Sequence, residues 1–467
     1  MSDAELQRIA APYLNRTITF DDLMELVDEV NRAYTFAGVV TAQAVLPPQD
    51  IADGVLQTRL VEAMIEEVDT SPLEHTNREF ITANITLPTE ERPDFERLER
   101  ELRIFEVAHD FRPVLSFGPG QQFGYARVEV GGDEPPRFSH TLSLDNFGSP
   151  STGEVRLTYF GRWSSVTGRR DILSLQLRGS QGARSVAAGY SLPMGGGGGR
   201  LAFSLNYAQS EVISDPFSPI DLQTDSASAT LSYSLPFWVQ PDRHWQFSSE
   251  LTYEQSESTL SGIAFENARI YDLTLGVSHQ RDFPNALLAY AFGLRVGKAD
   301  LEDASETEGN FALLFGNLSY ARRLGDWGLW TSTALMQFAH RQNLPYARLL
   351  SAGGAASVRG YPNAVRSGDS GIIVQTQVSR ARPWVVSQER GVDVTPFAFL
   401  DAALIVPYRE DGGINTDQDI LASIGAGARI EFRRGVMASL SVGMPLRDTL
   451  GFKASGPTGY LALDWTF

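Results

Sequence analysis

One arginine stands out for the residues around it. Ser357-Val358-Arg359-Gly360-Tyr361 sets a guanidinium between a β-branched residue and a glycine, in a connection from Gln342 to Ser370 that also holds Gly353, Gly354 and Gly368. A guanidinium carries its donors in a fixed planar fork, so its chemistry is bidentate pairing with a carboxylate and not proton transfer. Glycines let a backbone reverse direction without steric penalty. The loop therefore reads as a charged tip aimed inward, toward something enclosed. Other reactive residue types do not assemble. His75, His109, His140, His244, His279 and His340 show no metal-ligand spacing. With no cysteine in the chain, disulfides, thiolate metal sites and cysteine nucleophiles are excluded. Gly195 to Gly199 lacks the Lys-Ser/Thr step that a phosphate cradle needs. We expect no catalytic residues, no metal and no cofactor.

An enclosed space has to be built by the rest of the chain. Its 467 residues are 42% hydrophobic, yet no apolar run reaches the ~18 residues of a membrane helix. Any membrane here is crossed by strands. A net charge of −18 argues against nucleic acid as a partner, because phosphate neutralisation needs clustered cations. Met1-Ser2-Asp3-Ala4-Glu5 has no basic stretch followed by an apolar core, so no signal peptide is visible at the start.

Beyond Gly131-Gly132-Asp133-Glu134-Pro135-Pro136, the pattern becomes long segments of period two. Ile420, Ala422, Ile424, Ala426, Ala428, Ile430 and Phe432 alternate with Ser423, Gly425, Gly427, Arg429, Glu431 and Arg433. Runs of ~10 residues with one greasy and one polar face are the signature of a transmembrane barrel. About sixteen such segments follow Arg137, and the connections alternate long (210–225, 297–309, 406–419) and short (281–285, 324–327, 433–435). Long loops belong outside and short turns in the periplasm. The Arg359 loop, after the eleventh strand, falls in the external set.

Ahead of the barrel, two small α/β modules are expected. In the first, Thr19 and Asp22 form a capping box, and Leu23, Leu26, Val27, Val30 and Tyr34 share one helical face up to Gly38. Strand-like segments follow over 39–46, 55–61 and 64–68. In the second, Phe95, Leu98, Leu102 and Phe105 line a helix, with strands at 114–117 and 125–130.

These features together resemble the two-partner secretion transporters, the TpsB group of ShlB/FhaC/HecB type, in the superfamily that includes BamA and TamA. The resemblance is carried by Tyr34, Gly38 and Pro47-Pro48-Gln49 of a first polypeptide-transport-associated (POTRA) domain, and by Leu98-Glu99-Arg100-Glu101-Leu102 with Pro119-Gly120 of a second. It rests further on Asp145-Asn146-Phe147-Gly148 entering the barrel, on the loop motif Val358-Arg359-Gly360-Tyr361, and on a terminal assembly signal ending in Phe467. In that signal Leu461, Leu463, Trp465 and Phe467 alternate outward. The family's F-x-D-x-G wall motif corresponds to Phe399-Leu400-Asp401-Ala402-Ala403, with alanine in the glycine position.

The resemblance implies a mainly β fold, a 16-stranded antiparallel transmembrane barrel behind two small α/β POTRA domains. The expected divisions are an N-terminal extension at 1–16, POTRA domains at 17–70 and 71–131, and a barrel at 137–467 with an inward-folding loop at 342–370. It implies an outer-membrane transporter whose periplasmic POTRA domains capture an unfolded TpsA-like adhesin or haemolysin, with outer-membrane lipid and the barrel assembly machinery as further partners. It also implies that Arg359 pairs with Asp401 on the wall, where Phe399 and Tyr361 pack around it. In a wet lumen such a pair adds only ~1 kcal/mol. A barrel assembly factor and a passive pore remain as alternatives. A pore has no use for periplasmic modules, and an assembly factor usually carries more than two.

Overall fold

The computed structural model describes residues 3–36, 42–47, 49, 54–122, 124–214, 221–302, 309–340, 343–389, 391–409, 413–433 and 435–467. It divides into two units, residues 1–135 with 195–198, and residues 136–194 with 199–467.

The larger unit is a closed antiparallel barrel of sixteen strands. In chain order they are β1 (Phe138–Asp145), β2 (Arg156–Ser164), β3 (Ile172–Gly179), β4 (Ala183–Met194), β5 (Gly199–Glu211), β6 (Leu222–Gln240), β7 (Arg243–Leu260) and β8 (Ile263–Phe283). Then come β9 (Ala286–Glu302), β10 (Gly309–Leu324), β11 (Gly328–Phe338), β12 (Ser370–Arg380), β13 (Val392–Val406), β14 (Ile420–Phe432), β15 (Val436–Pro445) and β16 (Thr458–Thr466). A short run, Trp384–Ser387, continues β12 along the same edge of β13. β16 pairs with β1 from Ala462↔Asp145 to Thr466↔Thr141 and closes the ring. Closure matters because an unpaired strand edge in hydrocarbon would leave a row of unsatisfied amides.

Alternation decides which face is which. On β14, Ser423 is 0% exposed while its neighbour Ile424 is 49% exposed, so the polar row points in and the apolar row points out. The same split runs around the barrel, with Leu275, Leu314, Leu400, Leu440 and Leu463 all on the outer face. The long and short connections fall where the sequence spacing put them, and the Arg359 loop joins β11 to β12.

The smaller unit starts with a helix at Asp3–Ala10 and a single 3-10 turn at Ala11–Tyr13. Its second helix, Phe20–Phe36, opens on the expected capping box. The Thr19 amide donates to Asp22 Oδ2 at 2.7 Å, and the Asp22 amide donates back to Thr19 Oγ1 at 3.2 Å. Val27 on this helix is buried. Ala42–Val45 pairs with Arg59–Glu62.

The structure differs from the sequence reading at the next strand. Met64–Asp69 does not join that hairpin; it pairs parallel with Tyr125–Gly132, whose other edge takes Pro113–Pro119. Periodicity reveals a strand but not its partner, so the boundary read at 70/71 is not where the hydrogen bonding changes. Helices Arg78–Asn84 and Phe95–Ala108 cover this three-stranded sheet. Phe80, Ile81, Leu98, Phe105, Val128 and Val130 form its dry core.

Candidate functional site: a loop clamped inside the barrel

After β11 the chain does not run out over the rim. A 3-10 turn at Tyr346–Arg348 leads into Leu350–Ala352, which pairs antiparallel with Arg366–Gly368. The residues between them make a tight tip. Gly353 and Gly354 have φ of +113° and +90°, a region glycine enters without strain, and the Gly354 amide closes the tip on the Tyr361 carbonyl at 3.0 Å.

The tip carries Arg359 to the inner wall. Its Nε donates to Asp401 Oδ2 at 2.7 Å and Nη2 to Oδ1 at 2.9 Å, a bidentate fork, while its backbone amide adds a third bond to Oδ2 at 3.1 Å. Nη1 donates to Gln377 on β12 at 3.2 Å. The guanidinium carbon stands 3.4 Å from the centroid of the Phe399 ring. That ring in turn fits only because its cross-strand neighbour is Gly425, where a Cβ would strike it.

Asp401 is 0% exposed and the Arg359 side chain only 12%. The pair is therefore not the wet contact expected from the sequence. Hydrogen bonds satisfy both ions in a site that excludes water, and removing one partner from such a pair costs about 3–5 kcal/mol.

Val358 and Tyr361 flank the arginine and are 0% and 1% exposed, packed with Ala403 and Leu421. Tyr361 turns away from the ion pair, contrary to expectation. Its hydroxyl lies 3.0 and 2.8 Å from the carbonyls of Ala422 and Arg447, which share its one proton, and its ring meets Phe452. Gly360 is held by β16, its amide donating to Tyr460 Oη at 2.7 Å and its carbonyl accepting from Thr458 Oγ1 at 3.1 Å.

Several anchors were not found from the sequence. Arg348 reaches the opposite wall, where Nη2 meets Asp272 on β8 at 2.6 Å and Nη1 meets Glu254 on β7 at 2.7 Å. Arg366 and Arg409 share Asp419, ahead of β14, at 2.6 and 2.8 Å. Asn363 donates to the carbonyls of Phe147 and Gly148 at 2.8 Å each, which gives the Asp145-Asn146-Phe147-Gly148 segment a contact with the loop. Apart from Arg409, 10 residues from Asp419, each anchor lies 53 to 216 residues from its partner, so no local spacing signals it.

The remaining residues singled out from the sequence lie elsewhere. Leu461, Leu463, Trp465 and Phe467 form one outward row, 49%, 42%, 46% and 57% exposed. Tyr34 lies half-buried on the Phe20–Phe36 helix, and Gln49 bonds the Pro47 and Gln57 carbonyls at 3.3 and 2.7 Å. Gly38 and Pro48 lie outside the described residues.

A closed sixteen-stranded barrel with an apolar belt and an inward-folded, arginine-clamped loop defines an outer-membrane barrel of the transporter class. The sequence comparisons narrow that class. The chain belongs to the haemolysin secretion/activation protein ShlB/FhaC/HecB family, whose model matches residues 124–430, and a ShlB-type POTRA domain matches residues 1–63. The heme/hemopexin transporter protein HuxB of Haemophilus influenzae is 24% identical over 96% of this chain and 81% of its own. The hemolysin transporter protein ShlB of Serratia marcescens is 23% identical over 94% of this chain and 78% of its own. The structure of CdiB from Escherichia coli superposes with a TM-score of 0.74 at 19% identity, covering 100% of this chain and 88% of that one. The protein is a two-partner secretion transporter of the outer membrane, with its POTRA region in the periplasm.

Proposed function

We propose that this transporter exports an unfolded, TpsA-like adhesin or haemolysin, and that the clamped loop sets the bore through which it passes. The POTRA modules capture the partner in the periplasm, and outer-membrane lipid and the barrel assembly machinery receive the barrel itself. The observation that carries this reading is the buried fork between Arg359 and Asp401. It holds a loop of the external set deep against the inner wall, where it narrows the lumen and has no role in lipid contact.

Among the described residues no group of three or more His, Asp or Glu is placed to hold a metal ion. The test is co-expression of the chain with a TpsA-like secreted protein, reading that protein in the medium. Arg359→Ala should leave an inserted barrel, seen as unchanged heat-modifiable mobility, with secretion sharply reduced. Undiminished secretion from Arg359→Ala would remove the role given to the loop.

A further inference from the structure

The polar ties of the loop divide the lumen unevenly. They run to Glu254 and Asp272 on β7 and β8, to Gln337 and Gln377 on β11 and β12, to Asp401, to Tyr460 and Thr458, and to the carbonyls of Phe147 and Gly148. On β13 and β14 the loop seals the wall, with Phe399, Asp401, Leu421 and Ser423 between 0% and 3% exposed.

The wall made by β4, β5 and β6 is different. Its inward residues stand in cross-strand rungs, among them Ala187–Asn206–Ser228 and Gly189–Ser204–Thr230. Ser228 pairs with Glu254, which meets Arg348 inside the barrel, so this face is the lumenal one. Phe203, Leu205 and Tyr207 between the rungs face the other way, 47%, 50% and 44% exposed toward lipid. Ser204 and Asn206 are themselves exposed, now to the lumen. A gap of about 270 Å³ lies between the loop, at Asn363, and the outer end of this wall at Ser185, Ala208 and Ser226, with Arg156, Arg178 and Arg184 also on its lining.

We propose that polypeptide in transit runs along the β4–β6 wall while the loop stays clamped to the opposite side. The inference rests on the export reading above and adds where the cargo lies. Its basis is chemical. An unfolded chain of mixed composition would adhere to an apolar wall at about 25 cal/mol per Å². Small hydroxyl and amide side chains trade bonds with passing backbone groups as readily as water does, so each contact is weak and replaceable. A conducting surface needs many such sites, none of them tight. Ala187 in one rung and Gly189 in the other add width where a larger residue would project.

The absence of native cysteine makes the test direct, since each introduced thiol is unique. Asn206→Cys and Ser228→Cys mark the open wall, Ser423→Cys the sealed wall and Leu205→Cys the lipid face, with heat-modifiable mobility checking that each barrel folds. A small linear polyethylene-glycol maleimide, an uncharged unfolded polymer, is applied to outer membranes and modification is read as a gel shift. We expect Cys at 206 and 228 to react, and Cys at 423 to react at least ~10-fold more slowly, as a site exposed only by local opening of the loop. In cells secreting the partner, polymer attached at 206 or 228 should stop export. If Cys at 423 reacts as fast as Cys at 206, or if export continues past polymer at both 206 and 228, the track is wrong and the export reading stands. If the unmodified protein exports nothing, both fall.

Discussion

The backbones of Gly360 and Gly443 lie against each other where the loop tip meets β15. A Cβ on Gly360 would come within 3.0 Å of the Gly443 carbonyl carbon, and one on Gly443 within 2.8 Å of the Arg359 carbonyl carbon. Gly360 also has φ of +98°, which a side chain tolerates poorly. Close approach and backbone conformation thus both require glycine at the tip, beside the arginine that makes the clamp.

Gly443→Val should lift the tip from the wall without unmaking the barrel. Overpacking of this kind costs typically 1–3 kcal/mol, here drawn from the docked loop. The check is limited proteolysis between residues 343 and 369 together with single-channel current. Faster cleavage and larger conductance are expected, and an unchanged digest would show that the contact is not holding the loop.

Arg359→Ala and Asp401→Ala should each release the tip by about 3–5 kcal/mol, because each leaves a buried charge without its partner. The double variant should be no worse than either single, since all three remove one interaction. Hydrogen exchange at residues 353–365 measures the release, and additive effects would mean that the two side chains act separately.

Arg348→Ala should loosen the opposite anchor more gently. Asp272 keeps Arg295 at 3.5 Å, so its charge is not stranded, and the loss is that of charge-assisted hydrogen bonds, roughly 1.5–3 kcal/mol. Exchange should rise around Leu344 to Leu350 while the tip at Arg359 stays protected. Equal exposure of both ends would show that the two anchors open as one.

Removing Phe467 should lower the yield of folded barrel in the outer membrane. The residue extends the closing seam, its amide and carbonyl bonding the His140 carbonyl and amide at 2.9 and 3.0 Å, and its ring stacks with His140 and packs tilted against Trp465. Aromatic side chains of this kind settle at the membrane interface. Quantitative recovery of heat-modifiable protein from the truncated chain would count against an assembly role.

Acid should weaken the start of the Phe20–Phe36 helix. The Thr19 amide, and beside it the Arg16 guanidinium, hold the Asp22 carboxyl down at about 2. A depressed folded pKa stabilises above the unfolded value, near 4, and that contribution fades as pH falls toward 2. Exchange over Thr19 to Leu26 should therefore rise below pH ~4 relative to neutral pH. The pH-dependent part of that change should be absent in Asp22→Asn.

Much of the architecture was legible because it is local. Period-two alternation in β14 separates Ser423 from Ile424 before any fold is known, and loop lengths assign the two sides of the barrel. The capping box at Thr19 and Asp22 is likewise complete within four residues. The Val358-Arg359-Gly360-Tyr361 and Phe399-x-Asp401 motifs named both members of the clamp, although only through family resemblance.

What the tertiary structure alone decided is pairing across distance. Met64–Asp69 has the pattern of a strand whichever sheet it joins, and only the fold lays it beside Tyr125–Gly132. Arg348 reads as one exposed loop arginine among many until β7 and β8 bring Glu254 and Asp272 to it. Gly443 reads as a weak spot in a strand until Gly360 arrives against it. The burial of Asp401 belongs here too, because a sequence shows which face a side chain takes and not what later covers it. Alternation is a property of the backbone at each residue, whereas a clamp forms between residues brought together only when the ring closes around the loop.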